Sequence, residues 1–442
     1  MNAGAASHGM IVAMLSPQTS RRFKAHPIPA FLRHVGPGVI TGAADDDPSG
    51  IATYTQAGAQ FGTGVLWTVF LTVPFMIAIQ LVSARIGRQS GKGIAANLRD
   101  HAPRWFLFAV VALLLVANTI NIAADIAAMG EALQLVVGGG QHFHAIVFGV
   151  VTLLLQVFVP YRRLAPILKW LTLTLFVYVA AAFTVHIPWG RVLHDLVVPQ
   201  IAADPAFWMM IVAILGTTIS PYLFFWQASQ EVEEMRLNGV TAGGESRAKL
   251  KAAKRRMRLD TVIGMVFSNG IAFFVMLMGA VVLHEAGITD VQTASQAAQA
   301  LRPLAGDFAF VLFSFGIIAT GLLAVPVLAS SAAYAVAEAF GWVEGLEHHW
   351  RQAKGFYAII GLATIVGTGL DFTHIDPIKA LYWSAVINGV VAVPIMAAMM
   401  LLAGKPQVMG LLPVARKTRV FGWGAVALMA AAVSMMLRDL LR

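Results

Sequence analysis

Long apolar segments recur along this chain and leave it few possible folds. Runs of roughly 17–25 apolar residues can cross a bilayer as helices, and about eleven such runs occur, near 35–61, 65–86, 105–135, 143–160, 166–188, 206–235, 258–284, 307–338, 355–371, 378–403 and 419–437. Hydrophobic residues make up 58% of the chain and charged residues only 12%, whereas soluble proteins carry about 25% charged residues. The pattern predicts an all-α integral membrane protein.

Basic residues are distributed unevenly between the segments that connect the predicted spans. If the amino terminus is cytoplasmic, only five of the 31 Lys and Arg residues fall on the outer side. Positive charge is retained in cytoplasmic loops, so the sequence predicts a multi-pass protein of the cell (inner) membrane. The run RAKLKAAKRRMR, in the connection 238–258, is then expected to be a positively charged loop and not a nucleic-acid-binding site. Nothing in the sequence implies an oligomer.

Motifs that would indicate an enzyme do not occur in the sequence. The chain has no cysteine, and it contains no zinc-binding HExxH motif, GxSxG nucleophile elbow, phosphate-binding loop or EF-hand pattern. We therefore expect a protein that conducts a substrate through the lipid bilayer, without enzymatic activity and without a cofactor.

The first apolar segment contains the run DDDPSG at residues 45–50. Each ionised carboxylate near a bilayer centre costs roughly 2.5–3.5 kcal/mol, so such residues face a polar cavity. Pro48 removes a backbone donor, and Ser49 with Gly50 completes a segment in which the helix is expected to break. Unpaired backbone groups beside carboxylates at mid-membrane are typical of the ion sites of transporters.

The sixth apolar segment has a similar interruption at Pro221, within GTTISPYLFFWQ. Each interrupted segment starts a block of five spans, and because five is odd the two blocks have opposite orientations. This arrangement predicts a LeuT-like fold with a 5+5 inverted repeat. The expected organisation is a cytoplasmic amino-terminal tail, a first repeat, a second repeat and an additional carboxy-terminal helix, at 1–30, 31–188, 206–403 and 418–442.

The stretch GPGVITGAADDDPSGIATYTQAGAQFGTGVLWTVF resembles the first helix of the Nramp divalent-metal transporters, where Asp-Pro-Gly-Asn is followed by a similar QAGA-FG segment. The resemblance implies alternating-access transport of divalent cations into the cytoplasm, with the metal as substrate. It gives Asp47 the position of the metal-binding aspartate, while Ser49 and Gly50 depart from the family's glycine and asparagine. Asp45 and Asp46 are expected to line a vestibule or to pair with a basic group, and Asp46 is a second candidate for metal binding.

The sixth segment departs further from the family, whose Met-Pro-His is replaced by Ser220-Pro221-Tyr222. A second histidine is replaced by Gln227. Oxygen ligands favour Mg²⁺ and Mn²⁺ over softer metals, so we expect a hard site with Ser220 and the carbonyl of Thr217 as further ligands.

Two other segments contribute candidate residues by the same resemblance. In the tenth segment Asn388 lies on the same helical face as Ala385, which stands at the family's glutamine position, so its amide oxygen could bind the ion or could join helices. In the third segment Asp125 remains where the family has several acids, and it could relay protons or balance a buried arginine. With Tyr222 and Gln227 also lacking imidazole, proton coupling is placed in doubt.

The alternative within the same architecture is a carrier of amino acids or organic amines. Asp47 would then balance an ammonium group, and an aromatic wall would be formed by Tyr222, Phe224, Phe225 and Trp226. A channel or a non-transporting metal sensor is a third hypothesis.

Overall fold

A computed structural model describes residues 37–159, 172–202, 204–241, 247–373, 376–410 and 413–441. Throughout these ranges the regular structure is helical, without strands. The predicted tail 1–30, the start of the first repeat, the beginning of the fifth span and the terminal residue 442 lie outside the described ranges.

The helices follow the predicted apolar segments closely. In chain order they are α1 (Pro37–Asp45), α2 (Pro48–Phe61), α3 (Trp67–Ser90), α4 (Ile94–His101), α5 (Arg104–Val137), α6 (Gln141–Phe158), α7 (Phe176–Ala182), α8 (Trp189–Val197), α9 (Pro205–Thr218), α10 (Pro221–Leu237), α11 (Arg247–Met278), α12 (Ala294–Ala298), α13 (Arg302–Ala305), α14 (Ala309–Phe340), α15 (Lys354–Leu370), α16 (Pro377–Leu402), α17 (Pro406–Met409) and α18 (Arg416–Leu440). Eight helical stretches among the described residues are long and apolar enough to cross a membrane.

Two spans are interrupted in the middle, where the sequence places proline. The first consists of α1 and α2, and the sixth consists of α9 and α10. Proline occupies the first turn of both α2 and α10, where its missing N–H has no intrahelical partner to lose. Each break therefore exposes the carboxyl end of one short helix and the amino end of the next to the same interior space.

The interrupted helices pack against neighbours that lie far from them in the sequence. Helix α1 packs along α11, α10 along α3, and α9 along α16, while α5 and α14 pack along each other. Small residues allow this close approach: a Cβ added at Gly42 would overlap with the backbone of Gly264, and one at Gly216 with the carbonyl of Ala385. The helix breaks are thus held between several closely packed helices.

The seventh span begins earlier than predicted. The sequence places its start near residue 258, but α11 begins at Arg247, so the basic run RAKLKAAKRRMR forms the first three turns of a helix. The expectation that this run is a loop was wrong. The run is rich in alanine, lysine and arginine and has no glycine or proline, a composition that favours helix.

Candidate metal-binding site

Asp47 lies at the first helix break and caps the amino end of α2. Its Oδ1 atom accepts a hydrogen bond from the N–H of Gly50 at 2.7 Å, which satisfies one of the free donors of the helix. Its Oδ2 atom accepts a hydrogen bond from Nδ2 of Asn121 at 3.0 Å and lies 3.4 Å from the hydroxyl of Tyr222. The carboxylate is 2% exposed. The positive end of the α2 dipole therefore faces a buried anion.

Polar side chains of two further helices continue from Asp47. Asn121 of α5 places its Nδ2 atom 3.5 Å from Oδ2 of Asp125, one turn along the same helix. Its Oδ1 atom lies 3.5 Å from Nδ2 of Asn388 on α16. One oxygen each of Asp125 and Asn388 is buried without a hydrogen-bond partner. Asp47, Asn121, Asp125 and Asn388 thus form a continuous polar group in the buried interior of the helix bundle.

The second helix break lies close to the first. Ser220 caps α10 with extended backbone, and its hydroxyl lies 2.9 Å from the carbonyl of Gly216 and 2.8 Å from that of Thr217. The Oγ1 atom of Thr217 has no hydrogen-bond partner, and a Cβ at Gly50 would lie 3.2 Å from it. Glycine at position 50 therefore allows the two breaks to approach each other.

Tyr222 connects the second break to the first. Its hydroxyl donates a hydrogen bond to the carbonyl of Ala44 at 2.9 Å, one of the last carbonyls of α1. Gln227, farther along α10, accepts a hydrogen bond from the hydroxyl of Thr41 at 2.6 Å. Both residues therefore tie α10 to α1.

Asp45 and Asp46 face a different neighbour from Asp47. The hydroxyl of Ser268 on α11 lies 2.6 Å from Oδ2 of Asp45 and 3.2 Å from Oδ1 of Asp46. Each of the two acids keeps one buried oxygen without a partner. No three His, Asp or Glu side chains in the described ranges are grouped as a metal ion would require, so the three consecutive acids do not converge on one point.

Three polar residues near the breaks were not predicted as site residues. Asn121 and Ser268 hold the acids, as described above, and the buried hydroxyl of Tyr54 has no hydrogen-bond partner. The ring of Tyr54 lies 3.4 Å from the position that a Cβ at Gly50 would occupy. Their position as polar residues inside apolar spans could have identified them in the sequence, because polar side chains in membrane helices usually have hydrogen-bond partners on neighbouring helices.

The proposed aromatic wall is part of the protein core. Phe224, Phe225 and Trp226 are fully buried, and the Trp226 ring packs edge-on against Tyr334, with ring centres 6.4 Å apart. Helix packing accounts for this contact.

Comparison with known proteins identifies the relatives of this chain. The model of the family described as "Natural resistance-associated macrophage protein-like" (Nramp) matches residues 38–439. The chain belongs to the Nramp family. A divalent metal cation transporter, MntH, from Klebsiella pneumoniae is 27% identical over 411 residues, covering 90% of this chain and 92% of that protein. The corresponding MntH of Yersinia enterocolitica is 30% identical over 314 residues, 69% of this chain and 71% of that one.

Solved structures share the fold of this Nramp protein. The manganese transporter of Eremococcus coleocola, crystallised with an aromatic bis-isothiourea compound, superposes with a TM-score of 0.72 at 16% identity, covering 92% of this chain and 87% of that chain. Mhp1, a nucleobase-cation-symport-1 family transporter, superposes with a TM-score of 0.51 at 15% identity, covering 91% and 93%. The predicted LeuT-like membrane fold and the predicted family are both confirmed.

Proposed function

We propose that this Nramp protein is a secondary transporter that carries divalent metal cations across the membrane by alternating access, with Asp47 as the principal ligand. The observation that carries the proposal is a buried carboxylate between two helix breaks, with an amide and a phenol beside it. The divalent metal cation transporters among its relatives support the same substrate class.

The site favours a hard cation such as Mn²⁺ or Mg²⁺. The side chains nearest Asp47 offer amide and hydroxyl oxygens, and Ser220 stands where the family has a thioether. Mg²⁺ keeps several waters and needs only one or two carboxylates, so Asp47, the carbonyl of Thr217 and the oxygens of Asn388 and Ser220 would suffice. We place Asp46 outside the ligand set, because its carboxylate shares the hydroxyl of Ser268.

Transport is directed into the cytoplasm, with the amino terminus on that side of the inner membrane. Two five-helix repeats, 31–188 and 206–403, supply the moving parts, and 418–442 adds a helix outside them. Gln227 and Tyr222 are hydrogen-bonded neutral groups, so Asp125 alone keeps a proton-accepting side chain among the positions at which the resemblance implies proton coupling. We therefore propose transport with little or no proton coupling.

The test is flux into liposomes that contain the purified full-length protein. Mg²⁺, Mn²⁺, Ca²⁺, Cd²⁺ and an organic amine are compared for the parent and for Asp47→Ala, together with calorimetric binding and the internal pH. Saturable metal uptake without acidification, lost in Asp47→Ala, is the expected result. Amine uptake with indifference to metals would replace the proposal by the amine carrier, and acidification in step with metal uptake would restore proton coupling.

A further inference from the structure

Arg85 is a buried cation near the end of α3. It is only 4% exposed, and its Nε and Nη1 atoms have no hydrogen-bond partner. A buried guanidinium without an acceptor loses the hydration of its charge and receives little in return. Within the part of the chain that the structure describes, no acceptor is bonded to these two atoms, so an arginine in this environment is suited to an anionic ligand.

Two cations of the neighbouring helix α11, which packs along α3, act on Arg85 through their charge. Lys254 and Arg258 lie one turn apart on α11, on the same helical face. Their charges and that of Arg85 act on one another repulsively, and Arg258 is the charged group that affects Arg85 most. Arg85, Lys254 and Arg258 thus form a group of three positive charges near the end of α3 and the start of the apolar part of α11.

The acids of this part of the bundle are engaged with other groups. Three of them are paired as follows: Glu231 with Arg88 at 3.8 Å, Glu234 with Arg256, and Asp260 with the N–H of Gly38 at 2.6 Å. On α11, Arg256 and Asp260 lie on the side of the helix opposite to Lys254 and Arg258. The described contacts of these acids therefore go to groups other than the three cations.

An exposed apolar strip continues along α11 from the same point. Leu259, Ile263 and Val266 are 51%, 53% and 50% exposed, and their spacing of four and three residues places them on one face of the helix. Arg255 lies on the same face one turn earlier. The helix surface thus changes from basic to apolar within one turn, as it does at a boundary between lipid headgroups and acyl chains.

We propose that Arg85, Lys254 and Arg258 bind the phosphate group of an anionic phospholipid, whose acyl chain lies along the strip of Leu259, Ile263 and Val266. A headgroup oxygen that enters between α3 and α11 gives the guanidinium the acceptor that it lacks. The apolar strip commits the site to a lipid, because free phosphate would make no use of it. The cations and the strip share no residue with the proposed metal site at Asp47, and the inference does not depend on metal transport.

The experiment measures lipid binding by the purified full-length protein with native mass spectrometry, using phosphatidylglycerol and phosphatidylcholine. Each basic residue near an anionic membrane surface contributes about fivefold in affinity. The double variant Lys254→Gln/Arg258→Gln should therefore lose about 25-fold of the preference for phosphatidylglycerol. Its matched control, Arg416→Gln/Lys417→Gln, removes two exposed charges from the start of α18 and should retain most of the preference.

Thermal unfolding in detergent, with and without lipid, distinguishes an arginine that binds lipid from one that only stabilises the fold. Without lipid, Arg85→Gln should unfold at the parent's temperature or above it, because it removes an uncompensated buried charge. With phosphatidylglycerol, the parent and Arg85→Lys should gain stability, and Arg85→Gln should gain much less.

Three results would overturn the proposal. The first is an equal loss of preference in the double variant and in its control. The second is an equal loss of stability by Arg85→Gln with and without lipid. The third is stabilisation by inorganic phosphate as strong as that by phosphatidylglycerol, which would assign the cluster to a soluble anion. None of these results would alter the metal flux expected from the parent protein.

Discussion

Replacing Asp47 by asparagine distinguishes the effect of its charge on metal binding from the effect of its helix-capping hydrogen bond on folding. The N–H of Gly50 donates to Asp47 at 2.7 Å, and an asparagine oxygen can accept the same bond, since both residues are good helix caps. Alanine would leave that buried N–H without a partner, at a cost of about 1–3 kcal/mol. Asp47→Asn should therefore fold like the parent and differ from it in metal binding.

The expected loss of affinity follows from the charge. Two unit charges 4 Å apart interact by about 4 kcal/mol at an effective dielectric constant of about 20, and a divalent ion doubles this figure. Desolvation of the carboxylate and of the ion offsets a large part of it. We expect at least about 3 kcal/mol to remain, which weakens the Kd by more than about 100-fold.

Calorimetry with Mn²⁺ on the purified protein measures this change, and the thermal midpoint without metal verifies the fold. Asp46→Asn is the matched control, because it removes the same charge one residue away, from a carboxylate bound to Ser268. Its effect on Kd should stay below about tenfold, since the charge lies farther from the ion. A Kd for Asp47→Asn within threefold of the parent, or equal losses in both variants, would refute the assignment of Asp47 as the principal ligand.

Three further changes test the packing, the ion preference and the pH dependence. Gly42→Ala should destabilise the protein by about 1–3 kcal/mol, because its Cβ would overlap with the backbone of Gly264, whereas Gly270→Ala, with open space around it, should leave the thermal midpoint unchanged or raised. Ser220→Met should shift the ratio of Cd²⁺ to Mg²⁺ uptake by about tenfold towards Cd²⁺, since a thioether favours soft metals; an unchanged ratio would remove Ser220 from the ligand set. Glu344 lies between α14 and α15 and is 3.5 Å from Arg236. Burial raises the pKa of Glu344 above its ordinary value, so the folded state holds this proton longer than the unfolded state and stability falls as pH rises above the ordinary glutamate range. Glu344→Gln should flatten that part of the profile of thermal midpoint against pH, and an unchanged slope would contradict this reasoning.

The helix breaks could be predicted from the sequence, whereas the hydrogen-bond partners of Asp45 and Asp47 could not. Pro48, which follows three carboxylates, and Pro221, at the corresponding place in the sixth span, predicted the two interruptions. Asn121 is hydrogen-bonded to Asp47, which lies 74 residues away in the sequence, and Ser268 is hydrogen-bonded to Asp45, which lies 223 residues away. Such contacts depend on which faces α5 and α11 turn towards the break, and local periodicity does not determine the packing of helices that are apolar on nearly every side. The helical start of α11 was missed for a simpler reason, because charge was taken as the sign of a loop although lysine and arginine favour helix.

The groups at the positions of the family's sulfur and imidazole also change the free energy of the helix breaks in the absence of an ion. A helix break leaves carbonyls and amides without partners, and here hydroxyls satisfy several of them: Ser220 faces the carbonyls of Gly216 and Thr217, and Tyr222 donates to that of Ala44. A thioether cannot donate such bonds. The breaks are therefore stabilised without an ion, and a cation that takes the Thr217 carbonyl must compete with the Ser220 hydroxyl for it. Binding under this competition is weaker than at a break that only the ion can satisfy.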